Sequence, residues 1–167
     1  MMAEEKRIYC VVAQTVQAPT TTAVVWNPTT AHNVAKVVGD ERTRTIVQPA
    51  GRLIAQAAHV VSKTRTAMLA KLLYKVAKAG KKNPLTWEET TAFVPITTIV
   101  LSARDSYELQ HVLNLLRDAE IDVHDFNDFN QPDYGDPEWK VMTAIATEPV
   151  NPEEVVGILD YLPLWKP

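Results

Sequence analysis

The chain has one cysteine, Cys10, and no apolar run approaching the ~20 residues that span a bilayer. A lone cysteine excludes an internal disulfide. Its place among Ile8, Tyr9, Val11 and Val12 suits a packed core residue better than a nucleophile. Met1 to Arg7 are charged and lack the apolar stretch and small-residue cleavage site of a secretory signal, so a cytoplasmic protein with no membrane partner is expected. No glycine-rich phosphate loop, Cys/His metal spacing or serine elbow occurs, and no cofactor or metal is expected. Acidic residues are missing from the whole of 42–87.

What is present is ordinary in bulk and uneven in detail. The 167 residues are 46 % hydrophobic and 22 % charged, which suits one globular domain over 1–167. The net charge of −3 conceals an asymmetry. Residues 1–82 carry 13 Lys/Arg against 4 Asp/Glu, and residues 83–167 carry 4 against 16. Two arrangements satisfy this: a polarised surface with one basic side, fit for nucleic acid, or halves that interleave and neutralise each other.

Ile8 to Ala13 is apolar without alternation, as in a strand buried on both faces. Residues 15–48, with eight threonines, Pro19 and Pro28, read as an inserted loop or flap with a small hairpin. From Pro49 the pattern turns helical. Leu53, Ile54, Ala57, Ala58, Val60 and Val61 form a stripe that Leu69, Leu72, Leu73 and Val76 continue past a polar interruption at 62–66, as one bent helix or two, ending near Gly80. Asn83 to Glu89 predicts a turn and short helix. A strand over 95–101, a helix over 102–119, a short strand ending at Asp125, a polar loop over 126–138 and a strand over 140–147 follow. A last helix begins at Asn151-Pro152, with asparagine at the cap. This order predicts an α/β protein: a three-layer sandwich whose mixed sheet of about four strands has helices on both faces.

Chemistry-bearing residues gather in a few places. Gly51-Arg52-Leu53-Ile54-Ala55-Gln56-Ala57-Ala58-His59 sets a glycine and a guanidinium at a helix start, where free N–H groups and the dipole favour anions. Lys71, Lys75 and Lys78 share a helical arc of roughly 60°, with Lys63 before them. Such a one-sided cationic face suits phosphate, although many lysine faces are merely solvated. Asp125 ends a strand beside His124, where crevice residues lie in open α/β sheets; a turn cap is the plainer role. His59, on an apolar helix, is by itself more often a hydrogen-bonded interior histidine.

Taken in order, these elements resemble the type II peptidyl-tRNA hydrolases over about residues 7–14 and 49–164. The family's Gly-Lys-x-x-x-Gln-x-x-His motif is matched by Gly51, Arg52, Gln56 and His59. Its strand-ending aspartate is matched by Asp125, and its Thr-Ala-x-Ala-x-x-Pro pattern by Thr143 to Pro149. The resemblance implies metal-free hydrolysis of the ester joining a peptide to tRNA, usually by a homodimer. Asp125 would orient or activate the water, Arg52 would face the scissile carbonyl or a phosphate, His59 would support it, and Thr143 would join them. Lys63, Lys71, Lys75 and Lys78 would hold the tRNA backbone. Arg52 replaces the family's lysine, and Val141 replaces a threonine. Two other expectations follow from these departures: a tRNA- or RNA-binding domain without activity, or a protein-interaction module built on 15–48 with Trp26.

Overall fold

The computed structural model describes residues 5–19, 22–27, 32–37, 43–80, 96–129, 131–135 and 138–166. The fold is an α/β sandwich. Strand β1, Ile8–Pro19, is its centre, and its first six residues are all buried. Ile8, Cys10 and Val12 pack with Leu53 and Val60 of helix α1, Ala50–Ala79. Tyr9, Val11 and Ala13 pack with Leu109, Val112, Leu113 and Leu116 of helix α2, Ser106–Asp118. A helix on each face explains why this strand shows no polar alternation. Burial pushes the Cys10 thiol up to about 12, so it stays a packed, protonated group.

The sheet has five strands. β1 pairs in parallel with β5, Thr98–Asp105, and antiparallel with β7, Lys140–Thr147. β7 pairs antiparallel with β6, Val123–Phe129. The fifth strand, β4 (Thr43–Val47), pairs antiparallel with Thr15 to Pro19. The two ends of the Thr-rich stretch therefore belong to the main sheet. Between them β2, Thr22–Asn27, and β3, His32–Val37, form a separate two-stranded hairpin.

Helix α1 is a single helix of 30 residues. Thr64 lets the apolar stripe cross the polar interruption. It is fully buried, and its hydroxyl donates to the Val60 carbonyl at 2.9 Å. Beyond Leu72 the expected stripe is not buried: Leu73 and Tyr74 are 59 % and 68 % exposed, and Val76 is also exposed. A helix of that length, about 45 Å, outruns the sheet beneath it. The turn and helix expected over 83–89 lie outside the described residues.

Three other boundaries differ from the sequence pattern. β5 continues to Asp105 because its far part pairs with β1, Ala103 with Ala13 and Asp105 with Thr15. On its other edge Ser102 N–H donates to the Pro163 carbonyl and Trp165 N–H to the Val100 carbonyl. Asp105 then caps α2 by accepting from Glu108 N–H at 2.8 Å, and this bond holds its carboxyl below the usual range. Asp105→Ala is expected to cost about 1 kcal/mol, a fall of about 2–4 °C in melting temperature by calorimetry. β6 runs four residues past Asp125. The expected last helix is only a 3-10 turn, Pro152–Val155, followed by Gly157 at a φ of 81° that a helix does not accept. Among the described residues no helix is long and apolar enough to cross a membrane.

The extension of β1 and the connection between β6 and β7 pack on each other. Val16, Ala18 and Tyr134 form a small third core with Ile46, Trp139 and Val141 against it. Trp139 Nε1 donates to the Gln17 carbonyl at 2.9 Å.

Candidate functional site

The first turns of α1 place Arg52 and Gln56 four residues apart, one above the other on a helical face. Gln56 is buried, and the group it meets is Asp128 near the end of β6, a residue the sequence pattern did not single out. The buried Asp128 carboxylate accepts four hydrogen bonds. Gln56 Nε2 (2.9 Å) and the Tyr134 hydroxyl (3.1 Å) donate to Oδ2; Phe129 N–H and Gln131 Nε2, both at 3.0 Å, donate to Oδ1.

This network has a fixed polarity. Gln48 Nε2 donates to the Ala13 carbonyl of β1 at 2.7 Å, which turns Gln48 Oε1 toward Gln56. Gln56 Nε2 must then donate to Gln48 Oε1 (2.7 Å), and its second proton goes to Asp128. A backbone carbonyl thus starts a chain that ends on a carboxylate, a group that only accepts when ionised. Gln56 Oε1 is left buried without a hydrogen-bond partner among the described residues.

Arg52 sits over the Tyr134 ring, 5.7 Å from its centroid. Its fork takes both oxygens of Asp133, at 2.9 and 3.0 Å. The guanidinium holds the Asp133 carboxyl below its ordinary value, and Asp133 in turn raises Arg52. Because the folded value is depressed, this pair stabilises the fold fully above about pH 4, the ordinary carboxylate value, and weakens as pH falls through the depressed value. Burial, and then the Asp128 charge, push the Tyr134 phenol up, so it is a hydrogen-bond donor at neutral pH.

The other candidates are distributed around this cluster. His59 is exposed and stacks on Phe126, ring centroids 5.2 Å apart and planes 16° from parallel. Thr143 is fully buried at a β-bulge: Phe126 faces Ala144 and Asn127 faces Met142, which leaves Thr143 as the extra residue. Its hydroxyl has no partner among the described residues.

Asp125 does not end its strand and does not meet Arg52. It pairs across from Ile145, which belongs to the core under α2, and paired residues share a face. Its carboxylate lies 3.7 Å from Arg117 of α2 and accepts from Asn127 Nδ2 at 2.8 Å. The Arg52 and Asp128 cluster lies on the other face, under α1. Asparagine and aspartate are poor strand formers, so the sequence pattern broke β6 too early.

The lysines are unequal. Lys63 Nζ donates to the Asp125 carbonyl at 2.6 Å. Lys71 is paired with Asp122 (2.9 Å) and Glu148 (2.7 Å), and Glu148 also binds His124 Nε2 at 3.0 Å. Lys75 and Lys78 are exposed on the projecting end of α1, without an ion pair among the described residues. Opposite charges from the acidic half thus reach part of the basic helix. Among the described residues no three His, Cys, Asp or Glu side chains are placed to hold a metal ion. No protein-family model matches this chain, and no curated protein matches it.

Proposed function

We propose that this chain is a hydrolase of the ester in peptidyl-tRNA, with Arg52 and Asp128 at its site. One observation carries the reading. The aspartate close to the end of β6 binds Gln56 of α1 and is joined, through Tyr134, to the guanidinium one turn earlier on the same helix. The resemblance calls for a strand-ending aspartate, a helix-start cation and the glutamine between them, and Asp128 meets that pattern on the same face as Arg52.

In the proposed reaction a water oxygen adds to the ester carbonyl carbon. The bond to the ribose 3′ oxygen then breaks, the proton passes to that oxygen, and the peptide leaves as its acid. Arg52 stabilises charge on the carbonyl oxygen, a contribution of about 10²–10³ in rate for one such donor. Asp128, its acceptor sites already filled, acts by fixing Tyr134 and Gln56 and so the polar groups around the water. Lys75 and Lys78 bear most of the tRNA phosphate contact, since Lys71 is already neutralised. A homodimer in the cytoplasm completes the proposal.

A specific observation favours a second reading, an RNA-binding domain without turnover. The Arg52 fork is filled by Asp133, and Val141 offers no hydroxyl. Labelled N-blocked aminoacyl-tRNA separates the two. The hydrolase releases label, Asp125→Asn stays near the wild-type rate, and a folded Asp128→Asn protein loses release. Bound tRNA with no release would establish the binding domain instead.

A further inference from the structure

Arg52 stands where the proposed chemistry needs an available cation, yet its hydrogen bonds are taken by the chain itself. Asp133 lies on a short 3-10 turn, Pro132–Tyr134, in the connection between β6 and β7. Arg44, reaching from β4, donates to the backbone carbonyl of the same Asp133. Two arginines from separate elements therefore converge on one acidic residue. The two-pronged geometry at Arg52 is the one guanidinium uses for phosphate as well as carboxylate.

The pair is accessible. The Arg52 side chain is 18 % exposed and that of Asp133 is 40 % exposed, so water and an incoming anion can reach it. Such partly exposed pairs are weak enough to exchange partners. Tyr134, the next residue, behaves in the opposite way. It is fully buried, packed in the third core and hydrogen-bonded to Asp128. The turn is thus anchored, and exchange requires only that the Asp133 side chain rotate off while Arg52 stays over the Tyr134 ring.

We infer that Arg52, with Arg44 held beside it on the Asp133 backbone, forms a phosphate-binding site that the Asp133 carboxylate occupies in the free protein and that an RNA phosphodiester takes by displacing that carboxylate. The RNA identity rests on the hydrolase reading; the phosphate chemistry does not. An autoinhibitory contact of this kind lowers apparent affinity by the fraction of molecules in which the site is open.

The test uses the full chain as wild type, as Asp133→Asn, as Asp133→Asn with Arg52→Gln, and as Glu153→Gln, an exposed surface neutralisation away from the turn. Each is titrated calorimetrically at low salt with inorganic phosphate and with a short single-stranded RNA. Asp133→Asn binds about tenfold tighter than wild type, the factor for a contact closed in about nine molecules of ten. Glu153→Gln gains nothing, and the double variant loses the gain. A gain with both probes assigns a phosphate site, and a gain with RNA alone assigns one that needs the adjoining backbone. Equal affinity in wild type and Asp133→Asn overturns the inference, as does a gain that survives Arg52→Gln or appears in Glu153→Gln. Peptide release by the same proteins separates the two proposals. Tighter phosphate binding without release keeps the occupied site and removes the hydrolase, whereas release without tighter binding does the reverse.

Discussion

Asp128→Ala unfolds about 3 kcal/mol more easily than the wild-type protein, a fall of about 6–12 °C in melting temperature. The substitution removes the one group on which four donors from four residues converge: Gln56, Tyr134, Phe129 and Gln131. Gln56 and the Tyr134 ring are buried and cannot turn to water without opening the third core. The loss therefore includes the desolvation of stranded donors as well as the lost bonds. Asp128→Asn is the sharper comparison. Its volume is unchanged, but its amide nitrogen meets a fixed donor on either side: Gln56, whose direction is set by the Ala13 carbonyl through Gln48, or the backbone N–H of Phe129. Neither the carbonyl nor the backbone N–H can reverse. Asparagine should thus recover only part of the stability, and a melting temperature equal to wild type would mean that the polarity of the chain is not enforced.

On the hydrolase proposal, Arg52→Gln is expected to lower peptide release by about 10²–10³ with little change in stability. The stability change is small because the abandoned partner, Asp133, is partly exposed and is resolvated by water. If Arg52 acts on charge that develops during the reaction, kcat falls and KM holds; if it holds a ground-state phosphate, KM rises and kcat holds. Arg52→Lys retains release, since it supplies the charge without the fork that Asp133 occupies. Release unchanged in Arg52→Gln would remove the guanidinium from the chemistry and leave it as a fastening for the turn.

The legible parts of this molecule are those whose pattern is local. The unbroken apolar run at 8–13 announced a strand covered on both sides, and the stripe from Leu53 announced α1. Asn151 and Pro152 marked a helical start, with Asn151 N–H donating to Glu154 Oε2 at 2.8 Å. The less legible parts depend on partners far away in the chain. β1 continues through Thr15 and Gln17 because β4 pairs with it, and the same extension gives Trp139 and Tyr134 something to pack on. β5 reaches Asp105 by pairing with Ala13 and Thr15 of β1. Neither continuation has a strong signal in its own residues.

The site shows the same division. Arg52 and Gln56 were readable as neighbours because a helix carries its own geometry, and four-residue spacing stacks side chains whatever surrounds them. His59, on the same helix, is exposed and stacks on Phe126 instead. The carboxylate was not readable. Asp125 and Asp128 both occur in β6, an odd number of residues apart, so a strand sends them to opposite faces. Which face meets α1 is set by pairing with β7, where Asp125 stands opposite Ile145 and Asp128 opposite Val141. A shift of one residue in that register would exchange them. The sequence by itself therefore determined the central strand, the two helices and the helix-borne half of the polar cluster. Only the tertiary structure, through long-range register, decided that Asp128 shares a face with Gln56 and that Asp133 closes on Arg52.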